Sequence, residues 1–280
     1  MILFYAAVIP VIVLCYFIYA KDTNREPGKL LAKIFAFGFF SAIPVVLVEL
    51  LLGKVFSTEG VTDIFTIFVN VFISVALVEE SFKWLITKVL TYNDREFDEV
   101  YDIIVYSVFA SLGFACIENI LYVIGGGLHT AILRAILSIP GHMCFGVIMG
   151  YFFAQAKLAD ANGNKGLQMR NLIFSILMPA LAHTIYDALL FATSATENGI
   201  LFVLFLLFDI AMVVVCFITV SKVSKMQQKI NQNMATGVIE INPAGTIQYS
   251  GTPEEKNFCP VCGQPAKGFN YCNSCGYKLK

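Results

Sequence analysis

The chain has 280 residues, 58% of them hydrophobic and 14% charged, with a mean hydropathy of +0.73. A soluble domain would be nearer half apolar and about a quarter charged, so the composition excludes a soluble enzyme with a large core and predicts an all-α polytopic membrane bundle. A net charge of −1 with no basic block excludes nucleic acid as a partner.

Taken in chain order, seven apolar stretches reach the roughly 17–25 residues that a span needs: 2–20, 31–53, 63–90, 102–124, 130–156, 171–192 and 200–221. Turn-rich segments separate them, among them KDTNREPGK, TYNDREFDE and the GGG at 125–127. The first stretch has no basic residue ahead of it and Lys21, Arg25 and Lys29 behind it, which fits a retained anchor rather than a cleaved signal. Lys88 and Arg95 follow the third stretch, Lys157, Lys165 and Arg170 the fifth, and Lys222, Lys225 and Lys229 the last. The alternate loops hold Lys54 alone. This asymmetry puts the N-terminus outside and the C-terminus in the cytoplasm.

Ionisable groups at bilayer depth cost about 2.5–3.5 kcal/mol each even on lenient scales, so they persist where they pair, line a wet cavity or do chemistry. The third stretch carries Glu79, Glu80 and Lys83. Lys83 stands at i+4 from Glu79 and i+3 from Glu80, within reach of either carboxylate. The fourth carries Glu118 and Asn119, the fifth Arg134 and His142, the sixth His183 and Asp187 at i, i+4, and the seventh a solitary Asp209. From the helical rise, Glu79 and Glu80 fall within about 5 Å of mid-span, and His142 and His183 within about 2 Å. Glu118 and Asp187 fall about 8 Å toward the outer side. Pro140-Gly141 and Pro179 loosen the backbone beside the two histidines, and Gly146-x-x-x-Gly150 permits close helix packing. One Glu–Lys pair is an ordinary structural ion pair, and one histidine an ordinary interhelical hydrogen bond. Three glutamates and two histidines at nearly one level exceed both.

No Gly-x-Ser-x-Gly and no His-Glu-x-x-His is present. Carboxylate and imidazole remain. They can activate a water by general-base catalysis, or hold a zinc that activates it. Either way the chemistry is hydrolysis.

Beyond residue 229 the chain turns polar. VIEI-NPAG-TIQY reads as a hairpin or a flexible linker. Cys259-x-x-Cys262, nine residues, then Cys272-x-x-Cys275 has the spacing of a structural zinc site. A segment this short would fold on its metal. Four cysteines close the coordination shell, so this zinc ribbon would serve as a docking knob for a cytoplasmic partner, not as a catalytic centre.

The stretches EESFK, GFACIENILY, RAILSIPGHMCFGVIMGY and HTIYD resemble, in order, the motif series of the PrsW family of intramembrane proteases, distantly similar to the CAAX prenyl endopeptidase-like membrane proteases. The resemblance spans about residues 30 to 220. It implies a protease of the bacterial cell membrane acting on membrane-embedded proteins such as anti-sigma factors. It implies that Glu79 and Glu80 are the essential glutamate pair and that Glu118, His142 and His183 complete the site. Lys83, Asn119 and Asp187 are expected in support, Asn119 as an oxyanion donor. In a metallo-site, His142, His183 and Glu118 would hold the zinc. The expected organisation is a protease domain at 1–225, a linker at 226–256 and the ribbon at 257–280. A proton-coupled transporter, or a scaffold presenting the ribbon, is the competing reading.

Overall fold

The computed structural model describes residues 2–161, 163–235, 239–241, 247–249 and 259. Among these the helices are α1 Ile2–Ala20, α2 Gly28–Leu52, α3 Ile64–Val71, α4 Leu77–Thr91, α5 Asp102–Ile136, α6 Ser138–Ala161, α7 Lys165–Thr196 and α8 Gly199–Ala235. A π-helical turn, Phe72–Ala76, joins α3 to α4. Ile12, Leu47, Val89 and Leu207 stand exposed on the bundle's outer surface, while Val11, Ile34, Tyr106 and Phe153 are buried within it. Apolar residues on both faces of a helix suit burial in a membrane.

Among the described residues, six continuous helical stretches are long and apolar enough to cross a membrane. The fourth runs for 59 residues, from Asp102 to Asp160. Straight, it would reach about 90 Å, three times a hydrocarbon core of about 30 Å. It is not straight. Gly127 has φ 71° and ψ −160°, a conformation open to glycine and closed to residues with a Cβ. The chain reverses there, so that Arg134 returns to Asn119 and Ala131 packs with Val123. A kink at Leu137 (φ −110°, ψ −68°) then leads into α6. Gly146 lies against Val108, and Gly150 against Ile104, so the two arms run antiparallel. The stretches expected at 102–124 and 130–156 are these two arms. The Gly146–Gly150 stripe makes the contact close: a Cβ on Gly150 would stand 2.6 Å from Ile104 Cα.

Side chains stitch one end of the bundle together. Tyr101 donates its hydroxyl to the Ile18 carbonyl, Ser224 to that of Lys21, and Lys157 its ammonium to that of Tyr92. Gln227 accepts from the Val100 amide, and Asn231 donates to Glu99. Asp22, Glu26 and Asp102 gather at the same end, with Tyr106 donating to Glu26. Burial pushes the Asp22 carboxyl up to about 6 and that of Glu26 to about 7.

Helix α8 runs on to Ala235, past the boundary expected at residue 225. Strands β1 Ile239–Ile241 and β2 Ile247–Tyr249 pair antiparallel, Ile239 opposite Tyr249 and Ile241 opposite Ile247. Cys259 is described and buried. Cys262, Cys272 and Cys275, and with them the zinc ribbon, lie outside the described residues.

Candidate active site

Helix α4 brings Glu79, Glu80 and Lys83 into the interior one turn after the π-turn. Such a turn accommodates one extra residue in a helix and recurs at functional sites. Ser74 bonds back to the Asn70 carbonyl within it at 2.7 Å.

The Lys83 ammonium, fully buried, is the hub. It donates to Glu79 Oε2 at 2.9 Å and Glu80 Oε1 at 2.7 Å, and lies 3.2 Å from His142 Nδ1. The Phe114 ring covers it, 4.5 Å from centroid to nitrogen. An ammonium offers three donors and no acceptor. His142 Nδ1 therefore accepts, and the imidazole keeps its proton on Nε2. That nitrogen faces Glu118 Oε2 at 2.8 Å. That oxygen is buried without a hydrogen-bond partner, so the contact is electrostatic.

His183 sits between carboxylates. Its Nδ1 lies 3.1 Å from Glu80 Oε1 and 3.9 Å from Glu79 Oε2, and its Nε2 lies 3.2 Å from Asp187 Oδ2. Only the imidazolium can donate from both nitrogens at once. Phe145 stacks on this ring at 4.6 Å, and the two histidine rings stand 5.6 Å apart. The expected residues Glu79, Glu80, Lys83, Glu118, His142, His183 and Asp187 are thus brought together by α4, α5, α6 and α7. Pro140 falls in the first turn of α6, where proline costs no helical hydrogen bond, so His142 follows a kink without a broken helix behind it.

Exposure gives the site a direction. The side chains of Lys83 and Glu80 are 0% exposed, those of Glu118 and Asp187 22% and 21%. Lys83 and Glu80 form the floor, Glu118 and Asp187 the mouth. Asn119, expected as an oxyanion donor, is engaged away from the carboxylates. Its amide nitrogen donates to the Ala7 carbonyl at 2.7 Å, and its oxygen accepts from Arg134 Nε at 2.9 Å. It ties α1 to α5 and aims Arg134, whose Nη2 lies 3.2 Å from Glu118 Oε1.

Two residues were missed. Arg134 had been noted at depth but not placed in the site. The glycine run midway between it and Asn119 was the signal that a reversal pairs them. Glu49, in the apolar run VVLVELLL of α2, feels the charges of Glu79, Glu118, Lys83 and His183, and its Oε1 is buried without a hydrogen-bond partner. A glutamate in such a run was itself the clue.

Glu79, Glu80 and His183 each bring one ligand atom within 4.8 Å of the others, and Glu80 Oε2 is buried without a partner. Carboxylate and imidazole are zinc donors, so these residues fit a divalent ion. The trio differs from the expected set of His142, His183 and Glu118. In that set His142 Nε2 faces Glu118, while His183 Nε2 faces Asp187.

Comparison with known proteins bears on this geometry. The sequence model of the PrsW family, described as intramembrane metalloproteases, matches residues 26–219, which include every residue of the site. The chain is 37% identical over 185 residues to Protease PrsW of Oceanobacillus iheyensis, covering 66% of this chain and 81% of that protein. It is 38% identical over 188 residues to that of Geobacillus kaustophilus, covering 67% and 79%. The chain belongs to the PrsW family. It is an intramembrane protease, which sets aside the transporter and scaffold readings. Protease PrsW of Bacillus subtilis is 36% identical over 190 residues, covering 68% of this chain and 83% of its own. No solved structure matches the chain.

Proposed function

We propose that this PrsW family member cleaves membrane-embedded proteins with Glu79 as general base, in a site that also comprises Glu80, Lys83, Glu118, His142, His183 and Asp187. The observation that carries the assignment is the unequal environment of the two glutamates. Glu80 is fully buried and binds both Lys83 and His183 through one oxygen. Glu79 binds Lys83 at 2.9 Å, stands 3.9 Å from His183, and its buried side chain keeps 8% exposure against 0% for Glu80. A base must reach its water, and Glu79 is the less buried of the two.

Glu79 takes a proton from the attacking water. Lys83 neutralises Glu80 and fixes both glutamates against His142. His183, held by Glu80 and Asp187, donates to the oxygen of the tetrahedral intermediate and then to the leaving amine. His142 presents an N–H toward Glu118, which Arg134 holds in place. A divalent metal, where bound, would be held by Glu79, Glu80 and His183 and would supply a Lewis acid.

The substrate is a membrane-anchored regulatory protein of the anti-sigma-factor kind, as the motif resemblance implies. The bundle is oriented with the N-terminus outside and the C-terminus in the cytoplasm, supported by Lys21, Arg25, Lys157 and Lys165 flanking the end that the side chains stitch. The protease domain precedes a tail whose Cys259, Cys262, Cys272 and Cys275 hold a structural zinc, supported by their spacing.

The test is cleavage of a single-span substrate by protein purified in detergent. Glu79→Gln is expected to lose about 10²–10⁴-fold in rate with its melting temperature preserved. Cleavage by the folded variant at the parent's rate would overturn the assignment.

A further inference from the structure

A groove of about 710 Å³ runs between α6 and the second half of α8, closed at its side by the start of α5. Its volume is that of a ligand pocket, and none of the site residues lines it. Its two ends differ. Met212, Val147 and Val215 form the apolar end, and Lys222, Lys225 and Lys229 line the other. The lysines stand at i, i+3 and i+7, so one face of α8 presents all three.

These lysines have no acidic partner among the described residues. Three other cations at this end are engaged: Lys165 pairs with Asp160, Lys157 donates to the Tyr92 carbonyl, and Lys21 lies over the Phe17 ring. From Met212 to Lys229 the helix rises about 25 Å, close to one leaflet of a bilayer about 40–45 Å thick with its head groups. A ligand matching this groove has an apolar body about one leaflet long and a negative charge at one end only.

We infer that the groove is a binding site for one anionic diacyl phospholipid, its chains lying against Met212, Val147 and Val215 and its phosphate held by Lys222, Lys225 and Lys229. A zwitterionic lipid offers the same chains and no net charge, so the three lysines select. A basic pocket between membrane helices is suited to this. The site is separate from the catalytic cluster, and its occupancy is independent of the proposed mechanism.

The experiment is native mass spectrometry of the full chain, delipidated in detergent and titrated with phosphatidylglycerol or phosphatidylcholine of identical chains, or with glycerol phosphate alone. The expected result is one retained phosphatidylglycerol per chain, in preference to phosphatidylcholine, and no retention of glycerol phosphate. At about 1 kcal/mol for each lysine near an anionic surface, K222Q/K225Q/K229Q should weaken phosphatidylglycerol by between about tenfold and a few hundredfold and leave phosphatidylcholine unchanged. Val215→Trp, which fills the apolar end, should weaken retention of both lipids, and it decides the matter if the triple variant does not fold. Equal retention of the two lipids by the parent, an undiminished phosphatidylglycerol affinity in the triple variant, or undiminished retention by Val215→Trp would each overturn the inference. Binding of glycerol phosphate alone would do so too, since it would mark a free-anion site.

Discussion

Replacing Lys83 with methionine removes the hub and keeps the volume. Two buried carboxylates then lose their shared donor, 2.9 and 2.7 Å away, and His142 Nδ1 loses its contact at 3.2 Å. Removing one partner of a buried ion pair costs about 3–5 kcal/mol, because the other charge stays buried without compensation. For a chain of this size each kcal/mol shifts the melting temperature by roughly 2–4 °C, so the loss should fall between about 6 and 20 °C. The chain has a single tryptophan, Trp84, adjacent to Lys83 and bonded to Ser175 Oγ at 2.7 Å. Its fluorescence reports unfolding at the site itself. Salt should change the loss little, since buried pairs are weakly screened. The sharper result comes from the double variant. Glu80→Gln removes one of the stranded charges, so Lys83→Met with Glu80→Gln should be more stable than Lys83→Met alone. A strictly additive pair of losses, or a Lys83→Met variant melting within a degree of the parent, would refute the hub.

Gly150→Ala places a Cβ 2.6 Å from Ile104 Cα, while Gly199→Ala meets nothing within 4 Å; thermal melts should show the first losing about 1–3 kcal/mol and the second almost none. Folding raises the Asp22 and Glu26 carboxyls to about 6 and 7, above the unfolded values near 4. Their contribution to stability is therefore full below about pH 4 and lost as pH rises through 6–7. Melting temperature should fall over that window, and Asp22→Asn with Glu26→Gln should flatten the fall. Metal analysis of the purified full chain should show one zinc removed when Cys259, Cys262, Cys272 and Cys275 are changed to serine. A further equivalent, sensitive to Glu80→Gln, would place an ion at Glu79, Glu80 and His183. Glu49→Gln should lower the cleavage rate without lowering the melting temperature, because the amide keeps the shape and removes an unpaired buried charge; an unchanged rate would remove Glu49 from the site's electrostatics.

Most of the site was legible because helices make it so. Positions i+3 and i+4 share a face, so the contact of Lys83 with both glutamates and that of His183 with Asp187 follow from spacing alone. Depth matching then selected which helices meet, since rise per residue is constant. What spacing could not supply was rotation. Nothing in the sequence sets which way α6 faces, so the third contact of Lys83, to His142, and the tautomer it imposes emerge only in three dimensions. Arg134 was hidden by the reversal at Gly127. A linear reading places it on a separate span, whereas the structure folds it onto the Glu118–Asn119 turn. The π-turn ahead of Glu79 leaves no compositional trace in FISVA.

The charge balance explains why this arrangement is both stable enough to persist and unfinished. Five carboxylates, those of Glu49, Glu79, Glu80, Glu118 and Asp187, face two permanent cations, Lys83 and Arg134. His183, whose two ring nitrogens both face carboxylates, adds a third cation as imidazolium. With every carboxylate ionised, the cluster is left two positive charges short. The shortfall is localised, because Glu49 Oε1, Glu80 Oε2 and Glu118 Oε2 are the cluster's oxygens buried without a hydrogen bond among the described residues. A core selected for stability alone would pair or delete them, since unsatisfied buried polar groups cost about 1–3 kcal/mol each. Retaining them is the pattern of a site that accepts protons, a divalent ion or a substrate amide during its work. The two glutamates on α4 are therefore not equivalent. Lys83 settles one oxygen of each, Glu80 alone lies 3.1 Å from His183, and the proposed mechanism assigns the proton from water to Glu79.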